Sequence, residues 1–219
     1  MITVGILGAG KLGITLAQLS TAAGHRTLIA GSGEIGTLPL VLSVLAPEAT
    51  PSRAVDVARE ADIVILALPL GRIQELPAAE LGGKIVIDAL NYWPQTDGIL
   101  AEFENSAPSS PVVARRIPAS RVVKGLSHLG YHELLSDSRP VDAVDRRAIA
   151  IAGDDPDAVA QVAELVHSFG FDPVVVGGLE EGALLGPGTE AFGVSLSADE
   201  LIRRVDFQRL ASVGNGSRG

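Results

Sequence analysis

The chain has 219 residues, of which 47% are hydrophobic and only 4% aromatic. Its 17 Lys and Arg against 26 Asp and Glu give a formal net charge of −9, which repels nucleic acid and anionic membranes. Because cysteine is absent, disulfides, thiol nucleophiles and cysteine-held metals are excluded. The N-terminus lacks the features of a signal peptide, and no apolar run approaches the roughly 18 residues of a membrane span. The sequence predicts a soluble, cytoplasmic protein whose partners are small molecules.

The first predicted elements are a short apolar strand at residues 2–7 and an amphipathic helix at residues 14–23, with Gly8, Gly10 and Gly13 between them. In a dinucleotide-binding βαβ unit, the first glycine permits a tight turn, the second leaves room for a pyrophosphate and the third lets the helix pack closely. Unpaired N–H groups and the helix macrodipole favour the phosphates at that helix N-terminus. The order of elements predicts a dinucleotide site, and a turn without a ligand is the alternative.

Strands and helices continue to alternate, with a core of Val, Ile, Leu and Ala that favours a buried parallel sheet. The predicted order is strand 25–30, helices 38–45 and 54–59, strand 63–68, helical turn 71–76, strand 85–87, helices 99–105 and 109–117, strands 121–125 and 147–152, helix 157–169, strand 173–176 and helix 198–210. This alternation predicts an α/β fold with a Rossmann-type, doubly wound, mostly parallel sheet. Residues 1–125 would form the dinucleotide-binding domain, residues 126–213 a C-terminal extension that caps the acceptor side, and residues 214–219 a tail.

The loop after the second predicted strand, Gly31-Ser32-Gly33, bears on the choice of dinucleotide. An NAD site usually has a carboxylate there, about 20 residues beyond the glycine turn, which binds the adenosine ribose hydroxyls. Here no acid occupies the loop, although Glu34 follows it, and the Ser32 hydroxyl can donate to a 2′-phosphate. The loop therefore favours NADP, although it has no arginine to pair with the phosphate, and an ordinary turn is the alternative.

Two further positions lie where parallel strands end, which is where ligands gather in such sheets. Leu68 and Pro69 end a buried strand and are suited to form an apolar wall beside a nicotinamide; strand termination explains Pro69 equally well. Asn91 follows the next strand and is suited to bond an amide or ribose, or is simply a turn residue.

Several segments resemble the NADP oxidoreductases that use the deazaflavin coenzyme F420, and the dinucleotide-binding reductases around them. Within residues 2–193 these segments are GILGAGKLG at 5–13, AGHRTLIAGS at 23–32, ADIVILALPL at 61–70, IVIDALNYWPQTDG at 85–98 and AIAGDDPDA at 150–158. The resemblance implies a homodimer that exchanges hydride between NADP(H) and a stacked planar acceptor. Such a transfer needs orientation and water exclusion more than acid or base groups.

The resemblance also implies roles for individual residues. Gly8, Gly10, Lys11 and Leu12 would contact the phosphates, Ser32 the 2′-phosphate, Leu68 and Pro69 the nicotinamide side, and Ser127 and His128 would border the acceptor. Ala9, within the glycine turn, and Asn91, from its place at a strand end, complete the predicted cofactor-binding residues. The chain departs from the family at Gly33, where many relatives have arginine, and at residues 124–128, where relatives often have Lys-Ala-Phe-Asn-Thr.

Few other residues suggest chemistry. His128 is the candidate catalytic residue and His132 a weaker one, with a solvated loop histidine as the alternative for both. The four histidines lack metal-ligand spacing, and Asp154 and Asp155 are better explained as a helix cap than as a catalytic pair. Two other functions stay open: an NADPH-dependent reductase of a small imine or carbonyl, flavin or metal chelate, and a catalytically silent NADP-binding sensor.

Overall fold

A computed structural model describes residues 1–33, 35–106 and 108–216 of the chain. The strands are β1 Thr3–Leu7, β2 Arg26–Ala30, β3 Thr50–Pro51, β4 Ile63–Leu66, β5 Ile85–Asp88, β6 Arg121–Lys124, β7 Ala148–Gly153 and β8 Asp172–Gly177. The α-helices are α1 Lys11–Ala22, α2 Leu38–Leu45, α3 Ala54–Glu60, α4 Pro94–Asp97, α5 Ser109–Arg116, α6 Tyr131–Ser136, α7 Pro156–Ser168 and α8 Ala198–Gly216. Short 3-10 helices lie at Leu70–Glu75, Ala101–Ser106 and Leu179–Leu185.

The strands form one eight-stranded sheet in the order β3-β2-β1-β4-β5-β6-β7-β8. All neighbours are parallel except β6 and β7, which pair antiparallel. The chain order reverses beside β1, because β2 and β4 flank it on opposite sides. This arrangement confirms the predicted α/β, Rossmann-type, mostly parallel sheet, and it creates a crevice at the carboxyl ends of β1 and β4.

The sheet is buried on both faces, which explains why its central strands are continuous apolar runs. Ile63 and Ile65 of β4 pack on one face with α1 and α7. Val64 and Leu66 pack on the other face with α3 and α5. A smaller cluster joins β7 and β8 to α8, so the C-terminal part extends the same sheet.

Local structure differs from the prediction in a few places. The two-residue strand β3 and the helix α6 were missed, and α4 occupies a segment predicted as loop. Helix α5 begins at Ser109 without a side-chain cap, and the Ser110 hydroxyl donates to Asp88. Helix α8 continues to Gly216, whereas residues 217–219 lie outside the described ranges. None of the helices described combines the length and hydropathy needed to cross a bilayer.

Candidate functional site

The glycine turn between β1 and α1 is tightly enclosed at its first and third glycines. Gly8 has a φ of +124°, and a Cβ there would lie 2.1 Å from the Ala67 carbonyl oxygen. A Cβ on Gly13 would lie 1.8 Å from the Gly8 carbonyl oxygen. Only glycine fits these two positions, because backbone approaches backbone at both.

The second glycine has the opposite surroundings. Gly10 is exposed, and no atom lies within 4 Å of the place where its Cβ would be. It precedes α1, whose first N–H groups have no partner within the helix, so this open space adjoins a cluster of donors. The turn therefore fits a pyrophosphate.

The Lys11 ammonium lies 5.4 Å from the centre of the Tyr131 ring, which directs this side chain toward α6.

Beside the turn, a cavity of about 210 Å³ opens at the ends of β1, β2 and β4. Ser32 and Gly33 line it from the loop after β2, together with Leu68. Arg72 and Glu75 line it from the 3-10 helix that follows β4. Glu34 lies outside the described residues.

A second cavity of about 150 Å³ follows along the same edge of the sheet. Leu12, Leu68, Pro69, Asn91 and Trp93 are among its lining residues. Its wall is braced by the Asp97 carboxylate, which accepts from the backbone N–H of Gly71 at 3.0 Å and of Trp93 at 2.8 Å. The predicted nicotinamide residues thus share one cavity.

The third cavity, of about 850 Å³, is far larger. Asn91 lines both the second and the third cavity, and Leu68 lines both the first and the second cavity. Aromatic and apolar side chains of Tyr92, Ile99 and Phe103 form part of its wall, and a glycine-rich segment within residues 182–189 forms another part. The three cavities therefore follow one another along the carboxyl edge of the sheet.

Asn91 connects the two predicted halves of the site. Its Nδ2 donates to the Ser127 carbonyl at 2.7 Å, which leaves Oδ1 to accept from a ligand. Leu126, just before Ser127, has a φ of +57°, a conformation rare for a residue that is not glycine. Strained backbone conformations of this kind cluster at active sites and ligand-binding sites, where the surrounding structure holds them. Ser127 itself is buried and lines none of the three cavities.

A buried charge cluster, whose Lys124 lines the large cavity, was missed by sequence reasoning. Lys124 is 2% exposed and Asp88 0%, with Nζ 3.5 Å from Oδ2. Lys124 also donates to the Leu90 carbonyl, while Asp88 accepts from the Ser110 hydroxyl at 2.6 Å and from the Leu90 N–H at 2.9 Å. Burial lowers the pKa of Lys124, and the Asp88 carboxylate opposes that shift. The cluster fixes the strand ends that carry Asn91.

His128 lies in the core rather than beside a cavity. It is 1% exposed, and its Nε2 accepts from the Ala150 N–H at 2.9 Å. Burial lowers the pKa of His128 to about 4, and the nearby backbone of Ala191 acts in the opposite direction, toward a higher pKa. The Nδ1 atom makes no hydrogen bond of normal geometry to the described residues. Because this ring is packed inside and bonded to β7, we do not retain His128 as a catalytic candidate.

The burial of His128 predicts a pH dependence of stability. Since its pKa is about 4 in the folded protein and 6.5 ordinarily, only the unfolded chain takes up this proton between those values. As the pH is lowered through that window, the free energy of unfolding should therefore decrease by about 1.4 kcal/mol per pH unit because of this group. His128→Gln keeps an acceptor for Ala150 but does not titrate. Between pH 7 and 4.5, urea unfolding should show the original protein losing about 2–3 kcal/mol more than this variant; equal losses would contradict the assignment.

The remaining candidates are structural. His132 is exposed, with its ring 4.2 Å from that of Tyr131. Asp155 caps α7 by accepting from the Ala158 N–H at 2.9 Å, as predicted, whereas Asp154 accepts from the Leu179 N–H at 2.8 Å. Within the described ranges, no group of three or more His, Asp or Glu side chains is placed to hold a metal ion.

A doubly wound sheet with a glycine turn at its crevice defines a Rossmann-type dinucleotide-binding protein. The sequence model of the family described as NADP oxidoreductase, coenzyme F420-dependent, matches residues 3–92. A solved hypothetical protein of Sinorhizobium meliloti is 31% identical, over 90% of this chain and 96% of that chain, with a TM-score of 0.77. The match over residues 3–92 confirms the resemblance to this NADP oxidoreductase family found in the sequence.

Other solved structures share the fold at lower identity. A candidate F420-dependent NADP reductase of Arthrobacter sp. FB24 is 22% identical over 84% of this chain and 90% of that chain, with a TM-score of 0.68. An imine reductase of Myxococcus stipitatus, solved with NADP+, is 16% identical over 98% of this chain and 63% of that chain, with a TM-score of 0.59. No curated protein matches the sequence.

Proposed function

We propose that this protein is an NADP(H)-dependent oxidoreductase that transfers hydride between the nicotinamide and a planar acceptor of the deazaflavin class. The observation that carries the proposal is that the three cavities are neighbours, because each shares a lining residue with the next. The glycine turn and Ser32 adjoin the first, Leu68 joins it to the second, and Asn91 joins the second to the third. The dinucleotide would extend along the first two cavities, with the acceptor in the third. The expected homodimer and cytoplasmic location stay predictions.

The residues of the chain bind and orient rather than exchange protons. The backbone N–H groups at Gly10–Leu12 would bind the diphosphate, with Ser32 at the 2′-phosphate. Leu68 and Pro69 would form the wall behind the nicotinamide, and the Asn91 Oδ1 would accept from its carboxamide or ribose. When bound, the reduced nicotinamide supplies a hydride, which carries both electrons, and solvent supplies the accompanying proton. Orientation and exclusion of water are the means by which such a site promotes the transfer.

The size and lining of the third cavity support a large acceptor. About 850 Å³ lies within the range of cavities that enclose cofactor-sized ligands. The wall of Tyr92, Ile99 and Phe103 suits a flat ring system. A small imine or carbonyl compound would leave most of this volume unfilled.

The proposal is tested by following NADPH oxidation with a panel of acceptors: coenzyme F420 or a simpler deazaflavin, a flavin, a cyclic imine and a ferric chelate. We expect turnover with the deazaflavin to exceed that with the other acceptors. Turnover confined to the imine would favour the small-substrate alternative. NADPH binding without turnover on any acceptor would contradict an oxidoreductase and favour the sensor.

A cavity-filling variant locates the acceptor. Ala183 lines the third cavity, so Ala183→Phe should raise the KM for the deazaflavin at least about 10-fold while NADPH affinity stays within about two-fold. Ala79→Phe, at an exposed turn before β5, is the matched control and should change neither. An unchanged KM in Ala183→Phe would place the acceptor elsewhere.

A further inference from the structure

The first cavity contains a cation that the loop after β2 lacks. The loop after β2 has glycine directly after its serine, Ser32-Gly33, and no arginine. Arg72 nevertheless lines the same cavity as Ser32 and Gly33, from a different element. It belongs to the 3-10 helix Leu70–Glu75, which begins just after β4. A guanidinium therefore reaches the adenosine end of the crevice by another route.

The position of Arg72 is fixed from two sides. Its Nε donates to the Glu75 Oε1 at 2.7 Å, and its Nη2 pairs with the other carboxylate oxygen. The helix itself is anchored where the Gly71 N–H donates to Asp97. A guanidinium has five N–H groups, so this two-bond pair leaves three for another acceptor. The Arg72 side chain is 38% exposed, which keeps those groups accessible to a ligand.

The geometry points to Arg72 as the residue that recognises the 2′-phosphate of NADP, together with the Ser32 hydroxyl, while Glu75 holds the guanidinium at the cavity before the cofactor binds. This inference rests on the proposed function, because it concerns the same cofactor site. Without Arg72, the Glu75 carboxylate would repel a phosphate dianion in the same small cavity. With it, the planar guanidinium offers paired donors matched to phosphate oxygens. The rival arrangement has Glu75 accepting from the ribose hydroxyls of NAD.

Calorimetric titration tests the assignment with four ligands: NADPH, NADH, 2′,5′-ADP and 5′-AMP. The last two carry only the adenosine half and differ by the 2′-phosphate. Arg72→Ala should weaken NADPH and 2′,5′-ADP about 10- to 100-fold and leave NADH and 5′-AMP within about two-fold. Glu75→Gln, which removes the ion pair that holds the guanidinium, should weaken NADPH less than Arg72→Ala does, and no weakening at all would show that Glu75 does not position Arg72. Arg59→Ala is the matched control, because Arg59 forms a surface pair with Glu80 at 3.2 Å and lines none of the three cavities.

The outcomes separate this inference from the function on which it rests. If the original protein binds NADPH and Arg72→Ala weakens NADPH and NADH equally, or neither, Arg72 is not the 2′-phosphate residue, yet the dinucleotide site stands. If the original protein prefers NADH and Glu75→Gln weakens that binding, the rival arrangement is correct. If it binds neither dinucleotide, the proposed function fails as well. Thermal unfolding of each variant alongside Arg59→Ala shows whether a loss of affinity reflects a loss of fold.

Discussion

Lys124→Met is expected to lower the free energy of unfolding by about 3–5 kcal/mol, because it leaves the buried Asp88 carboxylate without its cation. Asp88 is fully buried and, among the residues that the structure describes, would keep the Ser110 hydroxyl and the Leu90 N–H as its side-chain donors. The Leu90 carbonyl would also lose the ammonium that donates to it. An unpaired buried acceptor adds its own desolvation cost to that of the unpaired charge.

Lys84, just before β5, provides a matched control. Its Nζ donates to the carbonyls of Arg59 at 2.9 Å and Ala61 at 2.8 Å, and within the described ranges it forms no ion pair. Lys84→Met should therefore cost only about 1–2 kcal/mol by urea unfolding. Combining Asp88→Asn with Lys124→Met removes both charges and should recover part of the loss. Equal costs for the two lysines, or a double variant less stable than Lys124→Met, would contradict a charge-paired cluster.

Gly13→Ala and Gly10→Ala should have opposite consequences, although both add one methyl group to the same turn. At Gly13 the methyl would meet the Gly8 carbonyl oxygen at 1.8 Å. Gly8 cannot retreat, because it is itself enclosed by the Ala67 backbone. We expect Gly13→Ala to lower the free energy of unfolding by more than about 3 kcal/mol, or to prevent folding.

At Gly10 the added methyl would meet nothing within 4 Å, and the φ of −78° suits any residue. Stability should therefore change by less than about 1 kcal/mol. Affinity for NADPH should fall about 10- to 100-fold, because the methyl enters the space proposed for the diphosphate. Thermal unfolding and calorimetry on the two variants measure both effects. A Gly10→Ala variant that binds NADPH like the original protein would place the diphosphate elsewhere.

The sequence alone predicted most of the sheet and the glycine turn. Strands β1, β4 and β5 are continuous apolar runs next to clear turn residues, so their positions were found to within two residues. The three glycines could be assigned separate tasks because their spacing follows from the geometry of a strand-turn-helix unit. The Asp155 cap of α7 was likewise local, since donor and acceptor are three residues apart.

What the sequence could not reveal depends on contacts between distant segments. Lys124 and Asp88 are 36 residues apart, and a lysine in a sequence is ordinarily a surface residue. Arg72 reaches the loop after β2 only through the order of strands in the sheet, so searching that loop for an arginine could not find it. His128 was expected in a polar loop, but the antiparallel pairing of β6 with β7 places it beneath the backbone of Ala150.

If the backbone after β1 binds a dinucleotide diphosphate, calorimetric titration of NADPH into the unmodified protein should show saturable binding of one NADPH per chain in the micromolar range. The absence of any heat of binding with NADPH, NADP+, NADH and NAD+ at millimolar concentration would show that this turn is not a dinucleotide site.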